Sequence, residues 1–172
     1  MQVVWGNNKS AEEKIEEGME GKDLVQYFSE DLFVSDLKAA TKKDTLSELA
    51  ALFVKSKIIR KKSLVLEMLR KRETLGSTGI GKGVAIPHGR TTAAIEVKIA
   101  FGKSVAGIDF DSIDKKPVHL VFVVLAPPQD ENNRYLPILG KLVEVLSDKK
   151  NRKKLLEVES FENLVNVFSE VS

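Results

Sequence analysis

The sequence has no cysteine among its 172 residues. Disulfide bridges and thiolate metal sites are therefore excluded, which fits a cytoplasmic protein. It also lacks an apolar run of about twenty residues and a basic-then-apolar N-terminus, so neither a membrane span nor a secretory signal is predicted. The net charge of +2 comes from 27 basic and 25 acidic residues, without the basic excess expected of a nucleic-acid-binding protein.

The length and the 42% hydrophobic content predict one globular domain with a sizeable core. Residues 1–23 are polar and acidic, and we predict that they form a mobile or partner-docked N-terminal extension. Residues 24–172 are predicted to form the domain.

Four helices are predicted from the spacing of apolar residues. Thr41 is a good N-cap for the first, with Asp44 three residues further on. Arg72 lies near the last turn of the second, a third covers 135–146, and a fourth begins at Ser160. The residues of the first two apolar faces are Leu46, Leu49, Ala50 and Phe53, then Leu64, Val65, Met68 and Leu69; those of the last two are Tyr135, Leu136, Leu139, Leu142, Val143 and Leu146, then Phe161, Leu164, Val165 and Phe168.

Extended segments lie between these helices. Residues 84–86 form a short apolar run that stops at Pro87, and 97–101 is predicted to be a strand. The run 118–125 is apolar and β-branched, which is typical of a strand buried on both faces. The fold class is therefore predicted to be α/β, a single domain with a central mixed sheet flanked by helices on both faces.

The segment 76–83 contains four glycines and is predicted to be a loop. It matches the start of a nucleotide-binding phosphate loop, but Gly83 stands where a serine or threonine should hold magnesium. A phosphate loop also joins a strand to a helix, whereas this segment follows a predicted helix and leads into a strand. A flexible connection explains the glycines better than nucleotide binding does.

His88 is one of two histidines and lies between Pro87 and Gly89, at the end of a short apolar segment. Proline stiffens the approach and glycine removes bulk, so the imidazole should be presented with open space beside it. A neutral imidazole is a competent nucleophile that can attack phosphorus and release it again. Arg72, the glycine-loop amides and the hydroxyls of Ser77 and Thr78 are candidate donors to a dianionic adduct.

An isolated Pro-His-Gly is also consistent with a plain surface turn, which is the simplest interpretation of those three residues. A metal site has no second ligand at a recognisable spacing, and serine–histidine hydrolysis has no nucleophile elbow. The second histidine, His119, lies inside the apolar run and is predicted to be a packed or edge residue.

Several segments, taken together and in order, resemble the type-2 IIA domains of the bacterial phosphotransferase system, which include fructose, mannitol and nitrogen-regulatory members. Arg72-Glu73, Leu75-Gly76-Ser77-Thr78-Gly79-Ile80-Gly81 and Val84-Ala85-Ile86-Pro87-His88-Gly89-Arg90 carry the histidine motif. The stretches 39–43, 107–112, 116–118 and 126–128 are also similar to family segments. The resemblance covers about residues 24–172.

The resemblance implies that His88 is transiently phosphorylated at Nε2, with Arg72 stabilising the phosphate and Thr78, Gly89 and Tyr135 as binding residues. It implies no cofactor and no metal. The donor is a histidine phosphocarrier protein, and the acceptor is a IIB domain or a regulated target protein. No nucleic acid is expected as a partner, and the membrane is reached only indirectly, through a transporter.

One position departs from the family pattern. A second histidine is common near the start of the helix after the buried strand, and Tyr135 stands at the matching position here. A tyrosine can donate a hydrogen bond but cannot act as an imidazolium. Arg134 is a candidate for supplying the missing positive charge.

Two functions are consistent with the resemblance. The run 75–81 is more similar to nitrogen-regulatory members, and the sequence shows no fused IIB or IIC segment, so a phosphorylation-dependent regulatory IIA is our first hypothesis. The alternative is a fructose- or mannitol-type IIA that passes phosphate to a IIB domain for sugar uptake.

Overall fold

The computed structural model describes residues 19–130 and 132–171 and contains one mixed, six-stranded sheet. Its centre is a long antiparallel pair, β5 (Lys98–Ile108) and β6 (Val118–Ala126). The short strands are β1 (Phe33–Val34), β2 (Gly79–Gly81), β3 (Val84–Ala85) and β4 (His88–Arg90). The strand order is β1-β5-β6-β3-β2, and β4 also pairs with β6.

Helices cover both faces of this sheet, as the sequence predicted. One face packs against α1 (Lys42–Lys55) and α2 (Lys62–Glu73), and the other against α3 (Tyr135–Ser147), α4 (Lys149–Leu156) and α5 (Phe161–Ser169). Alternate residues of β6 enter the two cores. Val121, Val123 and Leu125 pack on the side of α1 and α2, and Leu120, Phe122 and Val124 pack on the side of α3, α4 and α5. Burial on both faces explains why this strand carries apolar residues without the usual alternation with polar ones.

Two of the predicted helix starts are confirmed by their caps. The Thr41 hydroxyl accepts the Asp44 amide at 3.2 Å, and the Ser160 hydroxyl accepts the Asn163 amide at 3.1 Å. Leu64 differs from its predicted place on the buried face of α2, because 42% of it is exposed. In α3, Leu136 and Val143 are likewise exposed. The buried positions of α3 are Tyr135, Ile138, Lys141, Leu142, Val145 and Leu146.

The N-terminal part of the described chain packs on the domain. A 3-10 segment, Gly21–Tyr27, buries Leu24 in the same core as Phe168 of α5. The remaining part of the predicted extension, residues 1–18, lies outside the described residues.

The predicted loop 76–83 contains a strand that the sequence did not reveal. β2 pairs antiparallel with β3, and the two-residue turn between them has positive φ at both Lys82 (58°) and Gly83 (79°). Such a turn matches the twist of a tight hairpin. The segment 76–83 therefore follows α2 and leads through β2 into β3, which is not the strand-to-helix context of a phosphate loop.

β3 and β4 are two halves of one interrupted strand, and the interruption positions the histidine. Both halves run parallel to β6, with Val84 opposite Leu120 and His88 opposite Val124. Pro87 lies between them; it has no N–H, but its carbonyl accepts the Val124 amide at 2.9 Å. His88 is thus fixed to a buried central strand near that strand's C-terminal end.

Candidate functional site

The imidazole of His88 is half-buried, and its orientation is set by the main chain. Its Nδ1 lies 2.7 Å from the carbonyl oxygen of Ile86. A carbonyl oxygen only accepts hydrogen bonds, so Nδ1 carries the proton of the neutral ring. Nε2 is therefore the nitrogen with the free lone pair, and the tautomer suits nucleophilic attack at that atom.

The protonation of His88 is predicted to be shifted toward the neutral form. Burial is the largest cause and lowers its pKa below 6.5; the Ile86 carbonyl opposes this, Arg72 lowers the pKa further and Glu73 raises it. An NMR titration of the ring should therefore give a midpoint below 6.5. A midpoint at or above that value would contradict the predicted desolvation.

The same shift predicts how stability depends on pH. The unfolded chain binds a proton on this ring more readily than the folded one, so the free energy of unfolding should fall as pH decreases from about 6.5 through the folded-state pKa. Above that window the ring is neutral in both states and contributes no pH dependence. Urea denaturation of the parent and of a His88→Gln variant, measured at pH values from above about 6.5 downward, isolates the contribution of His88 to the free energy of unfolding.

Arg72 lies beside this imidazole. It comes from the last turn of α2, and its Nη1 donates to the Gly76 carbonyl at 3.0 Å, which holds the guanidinium at the end of the helix. Arg72 and His88 line the same open cavity of about 640 Å³. The structure therefore brings together the nucleophile and the cation that the sequence predicted.

Gly89 and Tyr135 also line this cavity. The rings of His88 and Tyr135 lie 6.3 Å apart between centroids, at an interplanar angle of 52°. The remaining lining residues come from α2 and the chain that follows it: Leu64, Glu67, Met68, Lys71, Thr74 and Leu75.

Gly89 packs closely against Met68. A Cβ at this position would overlap the sulfur of Met68. We expect Gly89→Ala to lower the free energy of unfolding by about 1 kcal/mol, the low end for overpacking, because the atoms that must move are the end of the flexible Met68 side chain. Urea denaturation measures the change.

Gly140 provides the matched control for this substitution. It lies within α3, and no atom stands within 4 Å of a Cβ placed there. Gly140→Ala should raise stability by about 0.5–1 kcal/mol, since it removes backbone freedom from the unfolded chain. A Gly89→Ala protein that matched Gly140→Ala in stability would show that Met68 does not constrain the site.

Thr78 is not brought into the cavity. It is buried, its amide donates to the Glu73 carboxylate at 3.1 Å, and its hydroxyl donates to the same carboxylate. Lys42 completes the network with an ion pair to Glu73 at 2.8 Å. The Gly79 amide is likewise engaged, by Ser77 Oγ at 3.1 Å. The two Thr78 donors hold the glycine segment against Glu73 at the end of α2, the Gly79 bond is internal to the segment, and neither Thr78 nor Gly79 lines the cavity.

Three residues near the site have roles that the sequence did not predict. Arg90 places its guanidinium 4.6 Å from the centre of the Tyr135 ring. Glu73 anchors the glycine segment. Arg134, the predicted source of extra charge, instead donates to the Tyr27 hydroxyl at 3.3 Å and lines a separate polar cavity. Glu73 and Arg90 both lie in the segments that carry the histidine motif, whereas the contact between Arg134 and Tyr27 left no signal in the sequence.

His119 has a different environment. Its Nδ1 lies 2.8 Å from the Ser104 carbonyl oxygen of the neighbouring strand, and it does not line the His88 cavity. Within residues 19–130 and 132–171, no group of three or more histidine or carboxylate side chains could hold a metal ion. No helix in these ranges combines the length and apolar character needed to cross a bilayer.

Comparison with known proteins defines the class. The family model described as "Phosphoenolpyruvate-dependent sugar phosphotransferase system, EIIA 2" matches residues 26–171. Domains of this kind are phosphoryl carriers, components of a phosphotransferase that work through a phosphohistidine. The chain belongs to this type-2 IIA family of the phosphotransferase system, which confirms the resemblance seen in the sequence.

Individual relatives include both functional branches. The fructose-specific EIIABC component of Bacillus subtilis is 34% identical over 135 residues, which are 78% of this chain and 21% of that protein, so the chain spans about a fifth of its length. The fructose-specific EIIA component of Haloferax volcanii is 37% identical over 132 residues, 77% of this chain and 85% of that protein. The nitrogen regulatory protein IIA-Ntr of Neisseria meningitidis superimposes with a TM-score of 0.77 and 34% identity, covering 84% of this chain and 98% of that one.

Proposed function

We propose that this protein accepts a phosphoryl group on His88 Nε2 from a phosphorylated histidine carrier protein, and that its phosphorylation state controls binding to a regulatory target. The observation that carries the proposal is the imidazole whose Nδ1 is held by the Ile86 carbonyl, beside Arg72 in an open cavity. The proposal places the protein in the cytoplasm, with the membrane reached only through a transporter.

The chemical step is an in-line transfer between two histidines. The Nε2 lone pair of His88 forms the new N–P bond while the N–P bond of the carrier breaks, and its electron pair returns to the carrier's imidazole. Nδ1 keeps its proton, and its hydrogen bond to Ile86 persists through the step. The protein contributes position and charge stabilisation, with Arg72 facing the charge carried by the transferred group.

The other predicted binding residues have distinct roles in this proposal. Gly89 makes room for the Met68 side chain next to the histidine, and Tyr135 lines the same cavity. Thr78 acts indirectly, because its contacts to Glu73 keep the glycine segment and the end of α2 in place.

The apolar rim of the cavity fits a transient protein partner. Leu75 is 83% exposed and, with Leu64, lines the cavity next to the histidine. A small apolar patch around one reactive group suits brief docking, since each partner must leave after transfer. We therefore expect weak complexes with the carrier and with the acceptor.

The alternative is a sugar-specific IIA that transfers the phosphoryl group to a IIB domain for uptake. The similarity to fructose-specific proteins favours it, whereas the similarity to IIA-Ntr favours regulation. Both roles use the same histidine and differ only in the acceptor.

The test uses the full chain with a phosphorylated carrier protein and an intact-mass measurement. A gain of one acid-labile phosphoryl group is expected. No gain, under conditions in which the carrier phosphorylates a fructose-type IIA protein, would overturn the proposal. The phosphorylated protein is then offered to fructose- and mannitol-type IIB domains: rapid loss of the group supports sugar uptake, and retention supports regulation.

A further inference from the structure

Tyr135 is buried, but its hydroxyl makes no hydrogen bond to the described residues. Only 6% of the residue is exposed, yet it lines the His88 cavity. Its hydroxyl has no hydrogen-bond partner in the described part of the chain, and it is not one of the buried unpaired atoms there. The O–H is therefore available to a group inside the cavity.

Arg90 and the start of α3 hold this ring in place. The Arg90 guanidinium lies 4.6 Å from the ring centre, and its Nη1 donates to the Pro127 carbonyl at 3.1 Å. The Asp130 carboxylate accepts the Tyr135 amide at 2.7 Å, which anchors the backbone of the same residue. The phenol is thus fixed by a stacked cation on one side and by its own main chain on the other.

Resting on the proposed function, we propose that Arg90 fixes the Tyr135 phenol as a neutral hydrogen-bond donor to the phosphoryl group carried by His88. Arg90 is a positioning residue in this arrangement, since it acts through Tyr135. Arg72 supplies the permanent charge, and the phenol supplies a donor without charge.

The neutrality of that donor follows from its surroundings. The charged groups around the cavity are Glu67, Lys71, Arg72 and Glu73 from α2 and its end, and His88 and Arg90 from β4. Burial raises the pKa of Tyr135 to about 12, against the opposing charges of Arg90 and Arg72. Within the range where proteins are assayed, retention of the phosphoryl group should therefore not depend on the titration of Tyr135.

The experiment measures the equilibrium between phosphorylated carrier and phosphorylated protein for the parent, Tyr135→Phe, Arg90→Leu and the double variant. Tyr135→Phe should shift this equilibrium against the phosphorylated protein by about tenfold, the effect of losing one hydrogen bond to a charged group. Arg90→Leu should shift it in the same direction. The double variant should be no worse than Tyr135→Phe, because the two residues act as a unit.

A pH series with Tyr135→His supplies a readout that a purely structural role would not change. The measured quantity is the equilibrium constant for phosphorylation of this variant divided by that of the parent, with the same carrier. This ratio should fall as pH rises, because the new imidazole loses its positive charge. The ratio for Tyr135→Phe should stay flat. Arg70→Leu, on the exposed side of α2 and outside the cavity, is the control for removing an arginine.

The outcomes separate this inference from the proposed function. If the parent is never phosphorylated at His88, the proposed function fails. If the parent is phosphorylated and a folded Tyr135→Phe protein reaches the same equilibrium within about twofold, the phenol does not hold the group and the inference is overturned. Additive shifts in the double variant would separate Arg90 from Tyr135 and overturn the assigned positioning role.

Discussion

His88→Ala is expected to lower phosphoryl uptake from a phosphorylated carrier by at least about a thousandfold, because it removes the atom that forms the N–P bond. Intact mass and the initial rate of labelling measure the loss. The substitution removes a half-buried ring from a short strand, so the protein should remain folded and its thermal transition can be checked directly.

His119→Ala is the matched control, since it removes the other histidine of the chain. His119 bonds to the Ser104 carbonyl and lies outside the cavity, so its loss should leave labelling unchanged. Full labelling of His88→Ala, or loss of labelling only in His119→Ala, would mean that the phosphoryl group is carried elsewhere.

Arg72→Ala is expected to slow transfer by about a hundred- to a thousandfold, the range found when one charge-stabilising donor is removed from an active site. The equilibrium should also shift against the phosphorylated protein, because the guanidinium faces the negative charge of the product. Rapid-quench measurements with phosphorylated carrier give the rate, and Arg70→Ala on the same helix controls for the loss of one surface charge.

Arg72→Lys distinguishes charge from geometry. A lysine keeps the positive charge but cannot offer the planar fork of a guanidinium, so partial recovery is expected. Transfer rates of Arg72→Ala equal to those of the parent would remove this residue from the site. Because Arg72 also lowers the pKa of His88, the ring of Arg72→Ala should titrate at a higher pH than that of the parent.

Elements whose stabilising contacts are local could be predicted from the sequence. The Thr41 cap and the apolar face of α1 lie within a few turns of each other, and the long apolar run of β6 has no stable place except between two layers. α4 was not predicted because most of Lys149–Leu156 is basic; the helix is held by the Asp148 cap and by buried Asn151 and Leu155.

The shortest strands could not be predicted for a different reason. β1, β2 and β4 contain two or three residues each and exist because longer or neighbouring strands pair with them. Their register is a property of the folded sheet and leaves no periodic pattern in so few residues. The glycines of β2 suggested a loop, although a tight hairpin turn also favours a glycine.

In the site, too, the residues in a sequence motif could be predicted, whereas the contacts that depend on tertiary structure could not. His88 and Arg72 were predicted because their spacing belongs to a recognised motif. The orientation of Thr78 depends on a competition between the cavity and the Glu73 carboxylate, which tertiary contacts decide. Arg90 lies in that motif, but its role depends on Tyr135, which a distant helix brings beside it.

The pairing of Pro87 with Val124 has a consequence for partner encounters. The chain on either side of the reactive ring shares the hydrogen-bonded ladder of the central strand, so opening it requires disrupting the core. The Val124 amide should accordingly exchange with deuterium only at the rate of global unfolding. The conformational entropy of the backbone around His88 is lost during folding. A partner protein therefore does not have to order this segment when it binds.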